Sequence, residues 1–233
     1  MLFRFTAMRS FFILGILFLS FQGNAQRFRA GLIAGLVASD VAGMDFNDFD
    51  NDFHKAGLTG GAFVNAKFTE KNSLQFEILY TQKGSWQPPV DSAHPDYYKL
   101  NLDYIEVPVI FRHKFHIQVK SVSTDRFALE LGPSFGARIR IEQNGLFYKD
   151  GLFYSGYFDD GDFKKTEIAF HAGLCYNFYK NFMFDVRYSN SILPVTSRRE
   201  IFDQFFRYTF NKGDNMVFYF TLRYIFMKEE TKN

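Results

Sequence analysis

From Phe127 to Ile141 the chain alternates between two kinds of residue without a break. Phe127, Leu129, Leu131, Pro133, Phe135, Ala137, Ile139 and Ile141 share one parity, and Ala128, Glu130, Gly132, Ser134, Gly136, Arg138 and Arg140 share the other. Alternation with period two is the signature of a strand whose two faces meet different surroundings. Strands of soluble domains run to about 5–6 residues, whereas a tilted strand of about 9–11 crosses a bilayer. A strand of this length, apolar on one face and charged on the other, points to a sheet with lipid on one side and a polar interior on the other. Met216 to Phe226 repeats the pattern, with Met216, Phe218, Phe220, Leu222, Tyr224 and Phe226 opposite Val217, Tyr219, Thr221, Arg223 and Ile225.

Six further segments alternate in the same way: Phe28–Asp40, Gly57–Thr69, Ser73–Lys83, Tyr97–Phe115, Thr166–Phe178 and Phe182–Ser189. In the fourth, the apolar parity changes between Tyr104 and Ile105, close to Pro108, which predicts a bulge. The total is eight strands, and even strand numbers are the rule for bacterial outer-membrane barrels. The connections Val41–Ala56, Glu70–Asn72, Gly84–Asp96, His116–Asp125, Glu142–Lys165, Tyr179–Asn181 and Asn190–Asp214 alternate long and short, with His116–Asp125 longer than that rhythm asks. Short turns at one end and long loops at the other are the plan of such barrels, with both termini periplasmic. The fold expected is all-β, an eight-stranded antiparallel up-and-down transmembrane β-barrel.

The first 25 residues have the layout of a secretory signal peptide. Arg4 and Arg9 precede an apolar run from Ser10 to Phe21, and Gly23-Asn24-Ala25 offers a cleavage site before Gln26. The run is shorter than the ~20 apolar residues a spanning helix needs. The expected organisation is therefore signal peptide 1–25, barrel 26–227 and a short polar periplasmic tail 228–233. The leader takes two of the 27 basic residues and none of the 25 acidic ones, so the remainder is neutral and gives no basis for nucleic-acid binding. The single cysteine, Cys175, makes no internal disulfide and is not placed to carry a lipid anchor at the cleavage point.

Composition separates two ways of closing eight strands. A soluble lipocalin-like barrel would turn its apolar face inward around a ligand. With 32 Phe and 13 Tyr, the chain carries more aromatic bulk than so narrow an interior holds. Turned outward, the aromatics meet lipid, and the interior receives Glu77, Glu106, Glu130, Arg138, Arg140, Glu167, Asp185, Arg187 and Arg223. Charges of both signs in nearly equal number are what a dehydrated lumen requires, and loss of Arg138 is expected to strand a carboxylate.

The segments Gly31-Leu32-Ile33-Ala34-Gly35-Leu36, Ser73 to Gly84 (SLQFEILYTQKG), Leu102 to Val109 (LDYIEVPV) and Leu131 to Gly136 (LGPSFG) resemble the PorT-like outer-membrane β-barrel family of Bacteroidetes. The Ala25-Gln26 junction is similar to the cleavage habit of that phylum. The resemblance covers essentially the whole mature chain and implies an outer-membrane barrel. Its namesake belongs to the type IX secretion machinery, but these motifs describe strands, and the loops offer no match to that role.

Other constellations bear on chemistry. Asp48, Asp50 and Asp52 have the spacing of the first three ligands of a calcium loop, but Phe53 stands where the turn glycine belongs and no glutamate follows at the right distance. A solvated acidic loop facing lipopolysaccharide is the plainer reading. A Leu-Phe-Tyr unit occurs twice, and Phe147, Tyr148, Phe153, Tyr154 and Tyr157 could dock a partner or pack across an extended hairpin. A lipid-A-modifying enzyme would need a rim set of histidine, serine and acid; His54, His94, Ser85 and Ser92 are the candidates, without a Gly-x-Ser-x-Gly elbow or metal spacing. His171 reads as a satisfied lumen group. No cofactor and no catalysis are expected. Partners are expected to be outer-membrane lipid and lipopolysaccharide, with an envelope protein as a possible partner through the external loops.

Overall fold

A computed structural model describes residues 27–42, 53–89, 97–119, 122–149, 152–154, 163–196, 199–203, 206–210 and 213–226. The chain forms β1 (Arg27–Ala42), β2 (Lys55–Lys67), β3 (Asn72–Gln87), β4 (Tyr97–Val119), β5 (Val122–Lys149), β6 (Leu152–Tyr154), β7 (Thr166–Tyr179), β8 (Phe182–Ser191), β9 (Arg199–Asp203), β10 (Phe206–Phe210) and β11 (Asp214–Ile225). Eight of these, β1 to β5 with β7, β8 and β11, make a closed antiparallel barrel. Neighbours along the chain pair with one another, β1 pairs with β11, and β4 pairs with β5, so no barrel edge is left open. β6 extends the β5 hairpin, and β9 with β10 forms a second small hairpin in the connection to β11.

The outer face is apolar over a broad band. Leu32 and Leu36 of β1, Ile78 of β3, Phe135 of β5, Leu174 of β7 and Leu222 of β11 all project outward and are exposed. A face this apolar fits hydrocarbon, where backbone groups must be satisfied internally, and a closed ladder does that. Short connections at Phe68–Lys71 and Lys180–Asn181 lie at the end where β1 starts and β11 finishes. This is called the turn end below, and the other the loop end.

Three sequence expectations change. The connection expected at His116–Asp125 is mostly strand: β4 and β5 stay paired up to Val119↔Val122, with His116 Nδ1 2.6 Å from Asp125 Oδ1. Its length was strand beyond the barrel wall, and the long–short rhythm holds at this position too. The bulge expected in β4 near Pro108 is absent, because Tyr98, Leu100, Leu102 and Tyr104 point inward with Glu106 and Arg112 and are buried. The polarity of the inward residues changes along β4, not their side. The irregularity lies across the ladder in β5, where pairing slips from Tyr104↔Arg138 to Asp103↔Arg140 and leaves Ile139 unmatched. The extra residue reverses the parity that follows, so Phe127–Ile141 is not one unbroken alternation. Arg140 points outward and Ile141 packs against the apolar interior.

Candidate functional site: a filled lumen

Along the barrel axis the lumen is built in tiers. Each inward residue stands at every second position of its strand, so one tier collects side chains distant in sequence. The central tier holds Glu77 of β3, Glu130 of β5, Asp185 and Arg187 of β8 and Arg223 of β11, with Arg112 of β4 beside them, and every one is buried. Arg187 grips Glu77 with two guanidinium nitrogens, Nη1 to Oε2 at 3.0 Å and Nη2 to Oε1 at 2.8 Å. Its Nε lies 2.9 Å from Asp185 Oδ2 and 3.1 Å from Glu130 Oε2. Arg223 grips Glu130 in the same two-pronged way, at 2.8 and 3.0 Å, and sets Nε 2.9 Å from Asp185 Oδ1. Arg112 Nε approaches Glu130 Oε1 at 2.8 Å, and Thr221 Oγ1 donates to Asp185 Oδ1. Three carboxylates face three guanidinium groups. The planar forks make bidentate pairing possible and satisfy several lone pairs at once.

The next tier toward the loop end is built on Lys83 of β3. Its ammonium lies 2.6 Å from Glu106 Oε1 and 2.8 Å from Glu167 Oε2. Tyr219 donates its hydroxyl to Glu106 Oε2 at 2.9 Å, and Asn215 Nδ2 donates to Glu167 Oε1 at 3.1 Å. His171 is fully buried here, with Nε2 2.8 Å from Ser134 Oγ and 3.4 Å from Ser189 Oγ. Above this tier Val41, Tyr98, Leu100, Leu102, Phe163 and Val195 form an apolar plug. Apolar side chains fill a dehydrated lumen without needing partners. The corresponding outward residues of β4 are Lys99, Asn101 and Asp103, with Asp103 accepting from the Tyr80 hydroxyl at 2.9 Å. The reversal of polarity thus marks where the lipid band ends.

Of the nine charges expected in the lumen, Glu77, Glu106, Glu130, Glu167, Asp185, Arg187 and Arg223 are brought together by these tiers. Arg140 is not among them: its side chain is 60% exposed and pairs with Glu142 at 2.7 Å on the outer face. Arg138, at the β5 bulge, is half-buried and donates to the Phe163 carbonyl at 3.1 Å. The two-pronged carboxylate pairs of the central tier belong to Arg187 and Arg223. Lys83 and Arg112, absent from that expected set, carry the same parity signal. Lys83 shares a face with Glu77 and Arg112 shares one with Glu106, and both complete the charge balance. Tyr219 and Asn215 carry no sequence signal, because a polar residue opposite an aromatic strand face is ordinary.

The remaining candidates lie mostly outside the described residues. Asp48, Asp50 and Asp52, His94, Ser92 and Tyr157 fall there entirely. Phe147 and Tyr148 pair through the backbone with Tyr154 and Phe153, so the two Leu-Phe-Tyr units face one another across the β5–β6 hairpin. His54 is exposed at the start of the second strand, and Ser85 points into the barrel, where its hydroxyl donates to Asp40 Oδ1 at 2.7 Å. Among the described residues no group of three or more potential metal ligands comes together.

A closed eight-stranded antiparallel barrel, apolar outside and packed with ion pairs inside, defines a β-barrel of the outer-membrane class. The chain belongs to the outer membrane protein beta-barrel domain family, whose match spans residues 22–197. Comparison with curated proteins finds no match. Among solved structures it is similar to Ail, the attachment invasion locus protein of Yersinia pestis, in complex with the heparin analogue sucrose octasulfate, at 15% identity and a TM-score of 0.44, covering 86% of this chain and 99% of that one. It is also similar to neisserial surface protein A, at 12% identity and a TM-score of 0.40, with 84% and 96% covered. OprG from Pseudomonas aeruginosa matches at 9% identity and a TM-score of 0.35, with 86% and 95% covered.

Proposed function

We propose that this outer-membrane barrel is a non-enzymatic scaffold that presents its long loops outside the cell for an adhesive, structural or assembly role. The observation that supports this best is the filled lumen. Its two ion-pair tiers and apolar plug leave side chains matched to one another instead of to a substrate, so a particular activity belongs in the loops. In this reading residues 1–25 are removed on export, both termini are periplasmic, and the short turns face the periplasm. Membership of the PorT-like group of Bacteroidetes is part of the same proposal and rests on the strand motifs quoted above. So is contact of the outer face with phospholipid and lipopolysaccharide, which its apolar band supports.

A test compares a deletion strain with the same strain complemented by the wild-type barrel or by a barrel whose 150–162 and 197–212 segments are replaced by short turns, which keeps Phe163 and Val195 of the plug. Surface attachment or envelope integrity lost on deletion, and restored only by the long-looped barrel, supports the loop reading. Retained cargo on deletion would transfer the role to type IX secretion. A lipid A mass spectrum that changes on deletion and is not restored by His54→Ala would make it an enzyme.

A further inference from the structure

Past the hydrocarbon band the wall made by β3, β4 and β5 continues toward the loop end, and its outward face turns polar and aromatic. Ile105 is the last apolar residue of β4 on that face. The row directly above it is engaged with itself: the Tyr80 hydroxyl donates to Asp103, and Arg140 pairs with Glu142 at 2.7 Å. Farther out, the pairing sets Gly84 beside Asn101, and then Trp86, Lys99 and Asn144 in one row across the three strands. Lys99 Nζ stands over the Trp86 ring, 5.5 Å from its centroid, and the Tyr97 ring lies 6.3 Å from Trp86 at 48°. Gly84 puts no side chain between Trp86 and Gln82, so the sheet is bare beside the indole. Among the described residues Lys99 has no carboxylate partner, and the Lys55 ammonium is near enough for the two charges to repel. The side-chain amides of Asn101 and Asn144 likewise have no hydrogen-bond partner among the described residues.

We propose that the outward face around Trp86, Lys99, Asn101 and Asn144 binds the anionic saccharide of a glycolipid in the surrounding outer leaflet. Height along the wall selects that occupant. With a rise of about 3.4 Å per residue and a tilt near 40°, the stretch from Ile105 to Lys99 climbs about 15 Å. A phospholipid headgroup layer adds only about 5–7 Å beyond the hydrocarbon, so it ends near Asp103. A glycolipid whose acyl chains pack on Ile105 and Ile139 carries its sugars past that layer and along the same wall. The chemistry of the row fits such a group. A pyranose ring offers an apolar C–H face to an aromatic ring and a rim of hydroxyls to amides, which both donate and accept. Lys99 supplies a charge-assisted contact for a phosphate or carboxylate on the sugar. This deepens the lipopolysaccharide contact proposed above, and it rests on the loop end lying outside the cell.

Trp86 is the single tryptophan of the chain, so its fluorescence reads the site directly. The full-length mature barrel is placed in nanodiscs of phosphatidylcholine alone, with added lipid A, or with added lipopolysaccharide that keeps its core saccharide. Both leaflets hold the additive, so the readout does not depend on which end of the barrel faces out. A saturable blue shift of Trp86 emission and lower acrylamide quenching with the core-bearing glycolipid, absent with lipid A, support the site. Lys99→Gln is expected to raise the half-saturating glycolipid fraction about tenfold, the worth of one charge-assisted contact, and Lys99→Arg to restore it. Asn144→Ala, at an exposed position, is expected to weaken the response as a second, independent variant. Heat-modifiable gel migration checks that each variant folds. Equal emission in all three nanodiscs, a response shared with lipid A, or one unchanged in both Lys99→Gln and Asn144→Ala overturns the proposal. The orientation is read separately: Glu70→Cys, in a turn-end connection, is exposed to a membrane-impermeant maleimide on intact cells, with the native Cys175 buried. Labelling would place the turn end outside and overturn both readings, whereas protection from label without a glycolipid response overturns the saccharide site alone.

Discussion

Replacing Arg187 by methionine isolates what the central tier contributes. Methionine has nearly the same length and no charge, so the change removes the charged head and keeps much of the packing. Arg187 reaches Glu77 through two nitrogens, Asp185 at 2.9 Å and Glu130 at 3.1 Å. Without it, three buried carboxylates face Arg223 and Arg112 only, and Glu77 keeps Arg223 Nη2 at 3.4 Å as its remaining guanidinium contact. Breaking a buried pair by removing one partner costs on the order of 3–5 kcal/mol, because the other charge is left in a dehydrated site. A second substitution, Glu77→Gln, removes that charge. The double variant is therefore expected to recover about 2–3 kcal/mol of the loss, a coupling of the size seen between residues sharing one network. Urea unfolding in phospholipid vesicles, followed by Trp86 fluorescence and by heat-modifiable gel migration, measures all three variants. Arg187→Met costing less than about 1 kcal/mol, or a double variant as unstable as the sum of the singles, would refute the idea that the tier is a tightly matched charge network.

Other consequences follow from different parts of the barrel. Leu222 faces outward beside the central tier, so Leu222→Arg should cost about 2–4 kcal/mol in vesicles; equal stability of that variant and wild type would argue against lipid at this face. Gly84 has φ 135°, and an added Cβ would run into the Leu100 carbonyl. Gly84→Ala is expected to lose about 1–3 kcal/mol on the same urea scale. In planar bilayers the wild-type barrel should give no steady single-channel current, since the apolar plug closes the loop end; regular openings would contradict a filled lumen. Shortening the plug with Leu100→Gly and Leu102→Gly together is the variant expected to introduce leak.

The sequence by itself determined where the eight barrel strands run and, within the hydrocarbon band, which of their faces meets lipid, because a period of two is written into each strand and hydrocarbon penalises any error in it. Leu32, Ile78, Phe135 and Leu222 are outward for that local reason. It also fixed the kind of interior, with charges of both signs on the opposite parity. Which charges meet was decided by closure alone. Glu77 and Arg187 are 110 residues apart, and they touch because strand order and register set them at one height across the lumen. The extra residue at Ile139 could not be read locally either: the apolar pattern continues through it, and only the pairing with β4 shows that Arg140 has left the interior. Leu100 and Leu102 point the same lesson from the other side. An apolar residue suits both lipid and a dry lumen, so its side is settled by where the strand leaves the hydrocarbon band, which is a property of the closed barrel.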